Sequence, residues 1–328
     1  MRQLIVVVFC VILVFEYKYR WLVMEVINIE KLESIKAELA IAIGFFDGVH
    51  LGHQLVINNA IRYAKDNHVK SMAITFDQSP KVVLGSAEND GYLTPTGEKL
   101  RILEEMGVDY ALILKFDASF SSLSADDFIT KYLSKIGACY ISVGFDFRFG
   151  QGGAGNIELL LRHHEFKVDI SEPVLMTGVK VSTRSIKKYL KMGDLEQVNL
   201  MLGRHFSISG KVVDGRQLGH TIGFPTANLK LVEDYLFPLR GVYRTVSHVD
   251  GARFTSMTNI GFNPTANLQN SLSIETYILD FNTDIYDKQL RIEFLNKIRD
   301  EIKFSNLDVL IAQLEKDKQA VKSMSIEV

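Results

Sequence analysis

Leu39-Ala40-Ile41-Ala42-Ile43 runs into Gly44-Phe45-Phe46-Asp47-Gly48-Val49-His50-Leu51-Gly52-His53, and this stretch decides the first half of the fold. A continuous apolar run ending in glycine reads as a strand buried on both faces, as in a parallel sheet. Beyond it, apolar Leu55, Val56, Ala60, Ile61 and Ala64 recur at three- and four-residue steps, so a helix follows the histidines. His50 and His53, three apart, are expected to share one face of that helix. Gly44 and Gly52 let backbone approach a ligand closely, and a helix N-terminus favours an anion. The combination suits a nucleotide phosphate.

Outward from this point, strand and helix patterns alternate. Met24 to Asn28 opens as a strand, and Ser71 to Phe76 is another. Thr96 to Met106 reads as a helix stopped by Gly107, Tyr110 to Phe116 as a strand. Ser124 caps a further helix, and Tyr140 to Val143 is one more strand. This alternation predicts an α/β doubly wound, Rossmann-like domain over residues 24–186. Ligands of such sheets bind beyond the carboxyl ends of the strands, where Gly44–His53 and Gly144–Gly150 both fall. A helical stretch from Ser185 to Leu202, broken at Gly193-Asp194, supplies a connector over 187–205.

After Phe206 the pattern changes. Phe206 to Val213, Gly241 to Val249, Ala252 to Asn259, Ser273 to Asp280 and Gln289 to Leu295 read as strands separated by turn signals. With no long helix between them, they predict an antiparallel β-barrel over 206–328, closed by an amphipathic helix from Leu307 to Ala320. Within it, Gly223-Phe224-Pro225-Thr226-Ala227-Asn228 reads as a tight turn offering oxygens to a metal and polar groups to phosphates. Glycines at 210, 215, 219 and 223 permit exposed amides around a phosphate chain.

The 328 residues are enough for two domains, and a net charge of −2 gives no electrostatic footprint of a nucleic-acid binder. Cys10 and Cys139 form no metal spacing and no disulfide framework, which suits a reducing cytoplasm. Residues 1–23 stand apart. Leu4 to Phe15 is an apolar run too short for an ordinary span, without a small-x-small cleavage site after it. They are read as an extension foreign to the rest of the chain, with translation starting at Met24 and no stable membrane association expected; a membrane tether is the rival reading.

The string Phe46-Asp47-Gly48-Val49-His50-Leu51-Gly52-His53 resembles the signature of the HxGH nucleotidyltransferases of the bacterial bifunctional riboflavin kinase/FMN adenylyltransferase (FAD synthetase) family. Thr94-Pro95-Thr96-Gly97-Glu98-Lys99 and Val143-Gly144-Phe145-Asp146-Phe147-Arg148-Phe149-Gly150 resemble further segments of its first domain. Gly210–Gly215 through Asn228, Pro238–Tyr243, Asn259–Thr265 and Ile274–Phe281 resemble its kinase domain, an antiparallel barrel with a C-terminal helix.

The resemblance implies two ATP-dependent steps, riboflavin to FMN in the barrel and FMN to FAD in the first domain. Riboflavin, FMN and ATP are then its small-molecule partners and Mg²⁺ its metal. It implies catalytic roles for Glu275, as general base, and for His50 and His53. Gly44, Phe45, Asp47, Gly52, Asp146, Ser182, Thr183 and Lys187 would meet one nucleotide, and Gly210, Gly215, Thr226 and Asn228 the other. Phe76, Phe147, Phe149 and Arg299 would meet flavin, while Thr226, Asn228 and Asp146 would serve the metal.

Ser79 stands where the family commonly has histidine. Val181-Ser182-Thr183-Arg184-Ser185-Ile186-Lys187 alters its hydroxyl-rich motif, and Tyr277 replaces a histidine near the base. A narrower reading, a riboflavin kinase with a weak adenylyltransferase half, rests on these departures; a flavin-binding regulator is the reading from another class. Oligomeric state is not legible in the sequence.

Overall fold

The computed structural model describes residues 24–27, 37–215, 218–262 and 272–323. The expectations for the 1–23 extension and for Asn263-Pro264-Thr265 lie outside those residues. The chain divides into two compact units. One draws on residues up to Phe45, Val56–Pro80 and Leu100–Ile170; the other on Phe46–Leu55, Lys81–Lys99 and Ser171–Val328.

The first unit is built on a sheet of order β1-β4-β3-β2-β5-β6. Its strands are β1 (Glu25–Ile27), β2 (Leu39–Ile43), β3 (Lys70–Phe76), β4 (Tyr110–Leu114), β5 (Ala138–Gly144) and β6 (Lys167–Ser171). β2 pairs in parallel with β3 and β5, and β4 in parallel with β3 and β1. All five residues of β2 are buried, because helices cover a parallel sheet on both faces. The chain moves outward from β2 through β3 to β4, then returns to the other side of β2 for β5. The switch point therefore lies between β2 and β5, where the loops after Gly44 and Gly144 leave the sheet. Helices α1 (Leu51–Asn67) and α2 (Thr96–Met106) follow β2 and β3, and Gly107 at φ 85° ends α2 as the sequence predicts. Ser124 caps α3 (Ala125–Phe128), its side chain accepting from the Asp127 amide. A π-helical turn at Ile129–Ser134, unforeseen in the sequence, follows it.

In the second unit β7 (Leu175–Met176) and β8 (Val179–Lys180) pair antiparallel ahead of the connector, which forms α4 (Thr183–Met192) and α5 (Leu195–Leu202), separated by Gly193 in the left-handed region at φ 77°. The barrel is closed in the order β10-β13-β12-β11-β14-β9. Its strands are β9 (Phe206–Val213), β10 (Thr226–Lys230), β11 (Gly241–Val249), β12 (Ala252–Phe262), β13 (Leu272–Ile278) and β14 (Gln289–Arg299), all pairs antiparallel. Thr226-Ala227-Asn228, expected in a turn, is thus strand and completes the barrel. The tight geometry lies just upstream, in α6 (Leu218–Thr221) and Gly223 at φ 81°. Inward-facing Ala227, Tyr243, Ile260, Ile274 and Ile278 join one core with Phe206, Ile292 and Phe294. A ladder of fully buried hydroxyls crosses the interior as well: Thr276 to Thr258 at 2.9 Å, Thr258 to Thr245 at 2.9 Å and Thr245 to Ser256 at 2.8 Å. Each hydroxyl satisfies the next, which is the condition for burying such groups. α7 (Leu307–Ser323) packs its Ile311, Leu314 and Val321 with Phe224, Met257 and Leu279.

Candidate functional site

Strand alternation sends Ala227 inward and therefore Thr226 and Asn228 outward. Asn228 lies opposite Glu275, Glu275 opposite Asn259, Asn259 opposite Val242, and Val242 opposite Arg299. One rung thus crosses five strands on the outer face of the barrel. The neighbouring rung carries Thr226, Tyr277 and Met257. A cavity of about 230 Å³ opens over both rungs, lined by Thr226, Asn259, Glu275, Tyr277 and Arg299 among others. The Phe224 ring tilts against Tyr277 at 5.2 Å and gives the cavity an aromatic wall.

Gly215 leaves room for the Asn228 side chain beside this rung. A Cβ there would lie 2.0 Å from the Asn228 amide nitrogen. At Gly210 a Cβ would lie 2.9 Å from the Lys230 carbonyl, so that glycine serves close pairing of β9 with β10.

Arg299 does not pair with Glu301 or Asp300 side chains, the surface alternative that its neighbours in sequence suggest. Its Nε and Nη2 reach Asp317 at 2.9 and 2.8 Å, and Nη1 donates to the Asp300 carbonyl. Asp317, buried on α7, is also held by Gln313 at 2.8 Å. Sequence reasoning gave Asp317 no role; nothing in its local string distinguishes it from a solvated helix residue. Asn259, inside a matched string, was likewise given none.

The histidine loop is built differently, by strain and its restraint. Phe46, Gly48 and Val49 have φ of 54°, 91° and 38°. For a β-branched valine this is an outlier, and such residues cost about 1–3 kcal/mol each. The surroundings hold the loop at nearly every backbone group. Asp47 Oδ1 accepts from the Leu93 and Thr94 amides at 2.8 and 3.1 Å, and the Gly48 amide donates to Thr94 Oγ1 at 2.7 Å. Thr183 Oγ1 donates to the Asp47 carbonyl at 2.8 Å. Arg204 Nη2 donates to the Gly48 carbonyl at 2.8 Å and its Nη1 to that of Val49 at 3.1 Å. Gln54 Nε2 donates to the Val49 carbonyl at 2.8 Å and to Leu202 at 2.7 Å. Burial raises the pKa of Asp47, against the lowering by these amides, Lys187 and Lys99.

His50 precedes α1 rather than lying on it, so the two histidines meet by capping, not by helical spacing. The His53 amide donates to His50 Nδ1 at 3.3 Å, and the two rings stack at 3.6 Å and 20°. With Nδ1 accepting, neutral His50 carries its proton on Nε2. Gly52 lies close beneath them, and a Cβ there would come within 3.2 Å of the His50 ring. Burial, then repulsion from His50 when that ring is protonated and from Lys99 and Arg204, hold the pKa of His53 well below the usual imidazole value. Its buried Nδ1 finds no hydrogen-bond partner among the described residues.

Around the loop, Ser182 caps α4 in a reciprocal box with Ser185. Lys187 Nζ donates to Asp90 and to the Gly91 carbonyl, each at 2.6 Å, and lies 4.0 Å from Asp47 Oδ2. Arg184 is exposed on α4.

In the first unit, the Gly44 amide donates to Ile74 and the Phe45 carbonyl accepts from Thr75 Oγ1. Asp146 is exposed in a turn after β5, closed by the Phe147 amide on the Gly144 carbonyl at 3.0 Å. Phe147 stacks on Phe149 at 5.6 Å; Phe149 meets Phe128, Phe128 meets Phe120, and Phe120 meets Phe76. Phe76, Phe147 and Phe149 thus belong to one aromatic array, with Phe128 and Phe120 as links that the sequence did not single out.

Residues 32–185 match the family described as FAD synthetase, and residues 202–325 the family described as riboflavin kinase. A bifunctional riboflavin kinase/FMN adenylyltransferase of Listeria monocytogenes is 39% identical over 285 residues, covering 86% of this chain and 91% of that protein. One from Bacillus subtilis is 36% identical, covering 88% and 93%. A solved Streptococcus pneumoniae structure, titled a macrolide-efflux protein, superposes with a TM-score of 0.84 at 30% identity, covering 92% of this chain and 100% of that one. Among the described residues no helix is long and apolar enough to cross a membrane. Both domains and both activities are accounted for together: the chain belongs to the bifunctional riboflavin kinase/FMN adenylyltransferase family, phosphorylating riboflavin to FMN and adenylylating FMN to FAD.

Proposed function

We propose that the outer rung of the barrel performs the phosphoryl transfer, with Glu275 as its general base. The observation that carries this reading is the register: Asn228, Glu275, Asn259, Val242 and Arg299 share one rung, and Glu275, Asn259, Val242 and Arg299 line one cavity together with Thr226. The riboflavin 5′-hydroxyl attacks the γ-phosphorus of ATP and gives its proton to the Glu275 carboxylate as ADP leaves. Thr226 and Asn228 hold the nucleotide phosphates beside it, Gly210 and Gly215 let the backbone come close, and Arg299 meets the flavin.

Mg²⁺ fits this donor set. Thr226 offers a hydroxyl and Asn228 an amide oxygen, hard neutral ligands of the kind Mg²⁺ takes alongside water and substrate phosphates. Among the described residues no group of three or more His, Cys, Asp or Glu side chains is placed to hold a metal, which suits an ion arriving with its nucleotide. When bound, the ion neutralises phosphate charge as the γ-phosphoryl group is transferred.

For the second step we assign His50 and His53 to the α-phosphate of ATP. An oxygen of the FMN phosphate attacks the α-phosphorus and pyrophosphate leaves; donors fixed at that point stabilise the growing charge more than the ground state. Gly44, Phe45, Asp47, Gly52, Ser182, Thr183 and Lys187 are assigned to the same nucleotide, directly or through the loop they support. Asp146 is assigned to ATP and its Mg²⁺, and Phe76, Phe147 and Phe149 to flavin, on the match of their strings. We place the enzyme in the cytoplasm, acting on small molecules, with neither nucleic acid nor a membrane as partner.

Glu275→Gln tests the first assignment. FMN formation should fall by roughly 10²–10⁴-fold, while FAD formation from supplied FMN continues. Undiminished FMN formation would remove Glu275 from the role of base.

A further inference from the structure

We infer that Arg204 is a positioning residue for adenylyl transfer: its guanidinium fork clamps the Gly48 and Val49 carbonyls and thereby fixes where the two histidines stand. The inference rests on the reading of the histidine loop as the adenylyl-transfer site.

Arg204 lies between α5 and β9, about 150 residues from the loop in sequence, so no local string announces the contact. Two of its bonds fall on consecutive carbonyls, those of Gly48 and Val49, whose residues both have positive φ, and Nη1 also reaches the Leu202 carbonyl at 3.4 Å. A flexible loop would not keep a valine there, and His50 is the next residue. The peptide that Arg204 grips therefore sets the direction in which the His50 backbone enters α1. His50 in turn receives the His53 amide and stacks on its ring, so a rotation at Val49 moves both imidazoles.

A fork is needed for this task. Two divergent N–H donors on one rigid plane reach two carbonyls at once, which a single ammonium does not do with the same geometry. The Val49 carbonyl keeps a second donor in Gln54, and Asp47 keeps its amides from Leu93 and Thr94. Loss of Arg204 should therefore loosen the loop's aim without unfolding its surroundings. The positive charge has a separate consequence, because Arg204, like Lys99, is a cationic neighbour that lowers the pKa of His53.

The experiment uses the full chain with Arg204→Gln, Arg204→Lys and His53→Ala, measuring riboflavin phosphorylation and FAD formation from FMN on each preparation. For Arg204→Gln, kcat for FAD formation should fall roughly 10- to 100-fold, as misplacement of catalytic groups by about an ångström does, with KM for FMN and ATP within about threefold. Phosphorylation on the same preparation should stay within about twofold, reporting an intact barrel. Arg204→Lys should fall between wild type and Arg204→Gln in rate while keeping the wild-type pH profile. Arg204→Gln should move the acid limb of the profile upward, as His53 loses a positive neighbour. FAD formation unchanged in Arg204→Gln, or both activities falling together, would overturn the inference and leave the site reading in place. Unimpaired FAD formation by His53→Ala would instead remove the reading itself.

Discussion

Asp317 and Arg299 form a pair in which both groups are largely out of water, with side-chain exposures of 3% and 15%. Removing one partner from such a pair strands the other. Asp317→Ala should lower unfolding stability by about 3 kcal/mol. It should also raise KM for riboflavin, because Arg299 lines the cavity and would lose its orientation. The double change Arg299→Met with Asp317→Leu separates these effects. Replacing a buried pair by apolar groups of similar size is often nearly neutral, so urea unfolding should return toward wild type while riboflavin binding stays weak. Recovery of both together would mean that Arg299 has no part in the site. Neither residue's partner was legible in sequence, since the pair joins β14 to the last helix across 18 positions with nothing but ordinary charged residues at each end.

Among the elements, β3 and β4 show how one carboxylate fixes a parallel register. Asp109, just before β4, receives Lys70 Nζ at 2.6 Å and the Ser71 amide and hydroxyl at 2.9 and 2.7 Å. Its own amide donates to Ser71 Oγ at 3.0 Å, directly beneath the Met72–Tyr110 pairing. Burial acts to raise its pKa, but Lys70 and Ser71 outweigh that and hold it below the usual value. A carboxylate with a depressed folded pKa stabilises the fold above its unfolded pKa, near 3.9, and loses that contribution as pH falls through the folded value. Asp109→Asn should therefore cost about 1–3 kcal/mol at pH 7, with the gap to wild type closing below roughly pH 3–4. A gap that persists unchanged into acid would show the charge to be irrelevant. Most elements were readable because their apolar period is strong: β2, β9, β11 and α2 fall on their expected residues. β10 was not readable. Thr226-Ala227-Asn228-Leu229-Lys230 has only five residues, follows Gly-Phe-Pro, and sends polar side chains outward to a site rather than to a core. The strand proposed to hold the nucleotide phosphates thus has the least periodicity, and His50 likewise departs from the helical reading because it caps α1 instead of extending it.

At the scale of the whole molecule, the histidine loop and the barrel belong to one compact unit, yet the chemistries proposed for them use different side chains. Glu275 stands on the rung that carries Asn228 and Arg299; His53 stands in the loop held by Thr94, Thr183 and Arg204. Damage to one set should therefore leave the other working, and the compound that links them is FMN, a small soluble product. Glu275→Gln given riboflavin and ATP should make almost no FAD, and His53→Ala should stop at FMN. Mixed together, the two variants should convert riboflavin to FAD after a lag while FMN accumulates, because FMN released by one chain must reach the other through solution. The lag should shorten as the concentration of Glu275→Gln protein rises, since that protein consumes the shared pool. Chromatography of the flavins over time provides the measurement. FMN that accumulates without ever becoming FAD would show that one substitution disables more than the group it removes, and the division of labour between rung and loop would not stand.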